Sequence, residues 1–182
     1  MPKDNNHISP DEPLIKAIIN NDTDSFKQFY LKYFPLLLRY ALYHTHSMDL
    51  SREMVQELFV RIWIKRHFLN PQKSVKAYLF KSLHNIIINK RALHSSRNIS
   101  LDEIKKNSNS QGESDMELKI DIKAALDNMP EKLKIVYLLS RVEGFKYNEI
   151  AQICEISEKA VEKRMSKAVN ILRKKFLGKY FL

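Results

Sequence analysis

With 182 residues, 44% of them hydrophobic, and only 3 Gly and 6 Pro, the sequence excludes wholesale disorder and favours helix almost throughout. Its formal net charge of +10 sits in two blocks: residues 1–94 and 119–182 each carry 14 basic and 8 acidic residues, around a spacer with 3 and 5, a division that suits two modules each meeting a polyanion. One cysteine excludes an internal disulfide, no stretch approaches the ~20 apolar residues of a membrane span, and the opening MPKDNNHISPDEP lacks a signal peptide's apolar run, so a soluble chain of the reducing cytoplasm is expected.

From residue 11 to 94 the pattern is helical. Leu14, Ile15, Ile18 and Ile19 form a short amphipathic stripe that ends at Asn20-Asn21. Asp22 or Asp24 can cap the next helix, which turns Phe26, Phe29, Tyr30, Tyr33, Leu37 and Tyr40 towards a core and carries a potential kink at Pro35. Ser51 is expected to cap a third helix, and Asn70-Pro71 to end it. At 100° per residue, Met54, Val55, Leu58, Phe59, Ile62 and Trp63 fill one half of that helix. The other half holds Glu53, Gln56, Glu57, Arg61 and a stranded Val60, which a plain amphipathic helix does not explain. Ser74 then caps VKAYLFKSLHNIIINKRAL, where Val75, Leu79, Leu83 and Ile86 oppose a continuous face of Lys81, His84, Asn85 and Ile88. A buried Ile88 is the competing reading of that face.

Residues 95–117 are rich in Ser, Asn and charge and read as a flexible linker, with a possible short turn at Ile99-Leu101-Ile104. Helix returns from about residue 118. Met129-Pro130-Glu131 opens a helix with proline at its first position, Leu133, Val136, Tyr137 and Ser140 share one face, and Gly144 is a natural stop. Beyond it a short helix from Tyr147 to Ile153, a turn from Cys154 to Ile156 and a long helix capped by Ser157 make a helix-turn-helix. Val161, Met165, Ala168, Val169 and Leu172 face its small core. Glu158, Lys159, Glu162, Lys163, Ser166 and Lys167 face solvent, with Arg164 at the margin. Lysine and arginine at the start of such a helix can reach phosphates or guanine edges in the major groove. An ordinary helical hairpin with a solvated face, a dimeric repressor or activator, and an adaptor without DNA function all remain open on this pattern alone. The six histidines show no metal-ligand spacing beyond His44-x-His46, and no phosphate loop or catalytic set is present, so neither a cofactor nor an enzyme is expected.

REMVQELFVRIW resembles the core-binding stretch of bacterial sigma factors of the extracytoplasmic-function class, with Val55, Gln56, Glu57, Phe59 and Trp63 matching residue by residue. The resemblance implies an all-α fold: a domain at 11–94, the linker at 95–117, and a helix-turn-helix domain at 118–178. In that class this helix docks on the β′ clamp helices of core RNA polymerase, which implies a docking role for Glu53, Gln56, Glu57, Val60 and Trp63. YLFKSLHNIIINKRAL resembles the promoter-melting helix, matching at Tyr78, Leu79, Asn85 and Ile88, with His84 and Asn89 where arginine and aspartate are usual. Its implied contacts to the −10 element are Lys73, Lys76, Tyr78, Lys81, His84 and Asn85, with the loop His67 to Ser74 holding a flipped base. The C-terminal block resembles the −35-reading domain at Pro130 to Leu133, Glu143-Gly144, Glu149 to Ala151 and Ile156-Ser157. Its implied contacts are Ser157, Lys159, Ala160, Lys163, Arg164 and Lys167. Glu155 departs from the usual turn glycine and Ala160 from the usual threonine. The implied partners are core RNA polymerase (β′ clamp helices and β flap), promoter DNA and an anti-sigma factor, without membrane insertion.

Overall fold

The computed structural model describes residues 10–96, 125–126 and 128–180. The chain forms two compact units, Met1–Asp102 and Glu103–Leu182. All regular structure among the described residues is helical.

The first unit contains α1 (Glu12–Ile19), α2 (Thr23–Thr45), α3 (Met48–Ile64), a 3-10 turn (Arg66–Phe68) and α4 (Val75–Ser96). Its core is made where α2 packs on α1, α3 and α4, and α3 on α4. Ile15 and Ile18 enter it from α1, and Phe29, Tyr33, Leu37 and Tyr40 from α2. Met54, Val55, Leu58, Phe59 and Ile62 enter from α3, and Val75, Leu79, Phe80, Leu83, Ile86 and Ile87 from α4. Each such side chain contributes roughly 1.5–3 kcal/mol by leaving water. One carboxylate ties α1 down: Asp11 is buried and accepts from Lys32 Nζ and Tyr33 Oη. Burial and that acceptor together push the Tyr33 hydroxyl far above its ordinary pKa, so it stays a donor.

The caps show where local chemistry decided. Asp22 caps α2, accepting from the Asp24 N–H at 3.1 Å and from Ser25 Oγ at 2.6 Å. The Ser25 bond, then the Asp24 bond, holds its pKa below the usual carboxylate value. Helix α2 runs unbroken through Pro35. The expectation that Ser51 caps α3 is corrected: Ser47 is the cap, and Ser51 is buried a turn inside the helix. The reason is His46, which at φ 53° reverses the chain at once after α2. Ser51 Oγ instead bonds Thr45 Oγ1 and the Ser47 carbonyl, both at 2.6 Å. Helix α3 also stops at Ile64 rather than continuing to Asn70-Pro71, because the chain tightens into the 3-10 turn. Ser74 Oγ caps α4 by accepting from the Ala77 N–H at 3.2 Å. That helix reaches Ser96, two residues past the expected boundary at 94. Residues 97–117 of the expected linker, including the turn at Ile99-Leu101-Ile104, lie outside the described residues.

The second unit contains α5 (Glu131–Arg141), α6 (Tyr147–Cys154) and α7 (Glu158–Tyr180), each packed on the other two. The face that Leu133, Val136, Tyr137 and Ser140 share is only partly the one α5 buries. Val136 is buried, but Leu133, Tyr137 and Ser140 are half-exposed, and Leu138, Leu139 and Lys134 are buried instead. Gly144, at φ +76°, ends the segment in the left-handed region that glycine enters without strain. The backbone closes there through the Phe145 N–H, which donates to the Leu139 carbonyl at 3.0 Å. Glu149 reaches back to cap α6, accepting from the Lys146 N–H at 2.9 Å. Ile150, Ala151 and Ile153 of α6 meet Val161, Met165, Ala168 and Leu172 of α7 in the core.

Candidate nucleic-acid and partner surfaces

Helix α3 is fixed by its inner face, so its outer face is presented rigidly. Gln56 is exposed, and Val60 is 58% exposed despite standing between buried Phe59 and Ile62. Ile64, 66% exposed, continues that row by one turn, and Phe68 in the 3-10 turn is 87% exposed. Ile64 and Phe68 escaped the sequence reading, although Ile64 lies four residues from Val60 and is therefore its neighbour on the helix surface. An apolar row of this kind with polar flanks is what a protein partner needs.

The acids beside that row are not free. Lys90, from α4, donates to Glu53 at 2.6 Å and lies 3.2 Å from Glu57, while Arg61 pairs with Glu57 from within α3. Burial works against the Lys90 ammonium, but the hydrogen bonds and charges of the two glutamates outweigh it and raise its pKa. Charges therefore alternate along the ridge from Glu53 through Lys90 and Glu57 to Arg61. Trp63 is half-buried: its ring lies 4.8 Å from that of Phe26, and the Arg66 guanidinium sits over it at 4.6 Å.

On α4, Tyr78, Lys81, Asn85 and Ile88 recur at helical spacing on one face. Tyr78 and Ile88 are each 45% exposed, which rules out the buried Ile88 reading, while Lys81 and Asn85 are half-exposed. Lys73 is exposed in the preceding loop. Lys76 lies off this face, with its ammonium 5.9 Å from the buried Phe80 ring. His84 is a correction. It is only 8% exposed, and its Nδ1 is 2.9 Å from Tyr40 Oη, so it packs the α2–α4 seam instead of facing outward.

Helix α7 starts at the Ser157 cap, whose Oγ accepts from the Ala160 N–H at 3.2 Å. Lys159, Lys163 and Lys167 are exposed along one row of its outer face, with exposed Glu158 and Glu162 on one side and half-exposed Ala160 and Arg164 on the other. Arg164 is close enough to Cys154 for its charge to lower the thiol's pKa, but burial outweighs it and pushes that thiol up to about 11. The turn residue Glu155 is left-handed, at φ 54°.

Residues 29–108 match the family described as Sigma-70 region 2, and residues 119–172 match Sigma-70, region 4. The chain is 25% identical over 151 residues to the ECF RNA polymerase sigma factor EcfG of Rhodopseudomonas palustris (strain TIE-1), covering 80% of this chain and 82% of that one. Its fold is similar to the sigma factor RpoE solved in complex with the anti-sigma factor NepR from Bartonella quintana (TM-score 0.67, 24% identity, 83% of this chain and 96% of that one). It is also similar to CnrH solved in complex with the cytosolic domain of CnrY (TM-score 0.67, 20% identity, 93% and 98%). Two sigma-70 regions in chain order, one on each helical unit, settle the identity: the chain belongs to the sigma-70 family as an extracytoplasmic-function sigma factor, a transcription initiation factor that directs RNA polymerase to promoters.

Proposed function

We propose that residues 11–94 dock on the β′ clamp helices of core RNA polymerase through Glu53, Gln56, Glu57, Val60 and the edge of Trp63. The exposed Val60, in line with Gln56 and Ile64 on a helix whose other face is packed, is the observation that carries this reading. Tyr78, Lys81 and Asn85, with Lys73 and Lys76 at the margins, hold the −10 element as a single strand. Extracting a base from the stack costs a few kcal/mol, which a rigid face with aromatic and basic groups offsets. Residues 118–178 read the −35 element as duplex and meet the β flap, with Lys159, Lys163 and Lys167 entering the groove from the capped end of α7 beside Ser157, Ala160 and Arg164. Residues 95–117 join the two functions.

Strand opening in this scheme is driven by binding energy, without hydrolysis. The factor works in the cytoplasm; no helix among the described residues is long and apolar enough to cross a membrane. An anti-sigma factor is assigned as the inhibitor, supported by the partner named in the RpoE complex.

Replacing Gln56 by Ala and Val60 by Glu tests the docking reading. Both side chains are exposed, so the helical fold should persist. Affinity for core polymerase should fall about tenfold or more, as for an interface hot spot, and promoter-dependent run-off transcription should fall with it. Unchanged co-purification with polymerase would remove the docking assignment.

A further inference from the structure

The 3-10 turn after α3 places Arg66 so that three contacts converge on it. Its guanidinium lies 4.6 Å from the centroid of the Trp63 ring. Its Nη1 donates to the Trp63 carbonyl at 2.7 Å, and its Nε donates to Asn21 Oδ1 at 2.6 Å. Asn21 sits in the loop between α1 and α2 at φ 69°, a left-handed conformation that asparagine tolerates better than most residues. That loop precedes the residues 29–108 matched to Sigma-70 region 2. Asn21 and Arg66 are 45 residues apart, so the contact is a tertiary one.

We propose that Arg66, oriented by Asn21, is a positioning residue for polymerase docking: it clamps the Trp63 indole in the orientation that the polymerase recognises. The inference rests on the docking role proposed for α3. Its physical basis is pre-organisation. An aromatic side chain at the rim of an interface costs free energy to immobilise on binding unless it is already held. Phe26 packs against the indole with 4.8 Å between ring centroids, and the planar guanidinium both covers the ring and spends its hydrogen bonds on fixed acceptors. Lysine has no planar group with which to do both. The α1–α2 loop therefore bears on the docking face through Arg66.

Trp63 is the only tryptophan in the sequence, so its fluorescence reads the clamp directly. In the full-length protein, Arg66→Met keeps the stem and removes the guanidinium, Arg66→Lys keeps the charge, and Asn21→Gly removes the acceptor without straining the left-handed backbone. The expected result for Arg66→Met is red-shifted, lower-anisotropy emission and about five- to tenfold faster dissociation from core polymerase, at a melting temperature near that of the parent. Arg66→Lys should restore little of the emission signature, and Asn21→Gly should move both readouts in the same direction by less. If Arg66→Met lowers the melting temperature markedly, the surface variant Asn21→Gly decides the matter in the same assays. Parent-like dissociation of the Arg66 and Asn21 variants, alongside weakened binding of Val60→Glu, would overturn the clamp and leave the docking reading standing. Parent-like dissociation of Val60→Glu as well would overturn the docking reading and the clamp with it.

Discussion

Glu155 stands in a left-handed turn that an L-residue enters only at a cost of ~1–2 kcal/mol, which glycine avoids. Glycine's greater freedom in the unfolded chain returns part of that gain. Glu155→Gly should therefore stabilise the second unit by up to about 1 kcal/mol in urea denaturation, and a destabilised variant would show that the glutamate's contacts outweigh the strain. One residue earlier, Cys154 gives a pH signature. Burial favours its neutral thiol, raising the pKa from 9.0 to about 11, against a smaller opposing effect of Arg164. A group bound more tightly to its proton in the folded state stabilises fully below its unfolded pKa and loses that effect as pH rises through the folded one. Stability of this unit should thus decline between about pH 9 and 11, and thiol alkylation near pH 8 should be slow until the unit unfolds. Rapid alkylation of the folded protein at that pH would contradict the raised pKa of this half-buried thiol.

At the scale of helices, α7 should separate sequence reading from plain attraction. Lys163 is exposed near the capped end, whereas Arg164 is half-exposed and close to Cys154, so in the proposed scheme Lys163 is the residue to test for base reading. Lys163→Ala should cost ~1–3 kcal/mol chiefly on the cognate −35 element. Lys167→Ala, a turn further on, should weaken all sequences alike and reduce the salt slope by about one. Run-off transcription across −35 mutants at two salt concentrations distinguishes them; equal losses everywhere would make both mere phosphate contacts. Helices were readable where a side chain and its backbone partner are close in sequence. Asp22, Ser74 and Ser157 cap within three residues of themselves, and their oxygens announce it. Ser51 misled because a histidine marks a left-handed turn far less plainly than a glycine does, so the positive φ at His46 is not announced in the sequence. His84 misled because its partner, Tyr40, is 44 residues away. Arg66 was silent for the same reason, since only the folded chain brings Asn21 to it. Periodicity placed most of the cores correctly but did not single out the buried face of α5, which includes a lysine, Lys134.

For the molecule as a whole, the proposed scheme has two modules that are weak alone and gain strength from linkage, because the second contact then forms at high effective concentration. Each unit alone should bind promoter DNA poorly, even with polymerase present. Deleting about half of residues 95–117 should lower promoter use while leaving both helical units folded by circular dichroism, since the core side chains named above for both units lie outside that segment. A shortened chain that transcribes normally would deny the segment any spanning role.

The placement of two rare side chains has a consequence for how such variants are judged. Trp63 belongs to the first unit and Cys154 to the second, and each is the sole residue of its type. Along a denaturant series, indole emission follows the loss of one core and thiol accessibility the loss of the other. Coincident midpoints mean that the two cores melt as a single cooperative body; separated midpoints mean that each keeps its own free energy. The protein thus carries an unlabelled gauge of its own cooperativity, and a destabilising substitution can be assigned to one half or the other without cutting the chain.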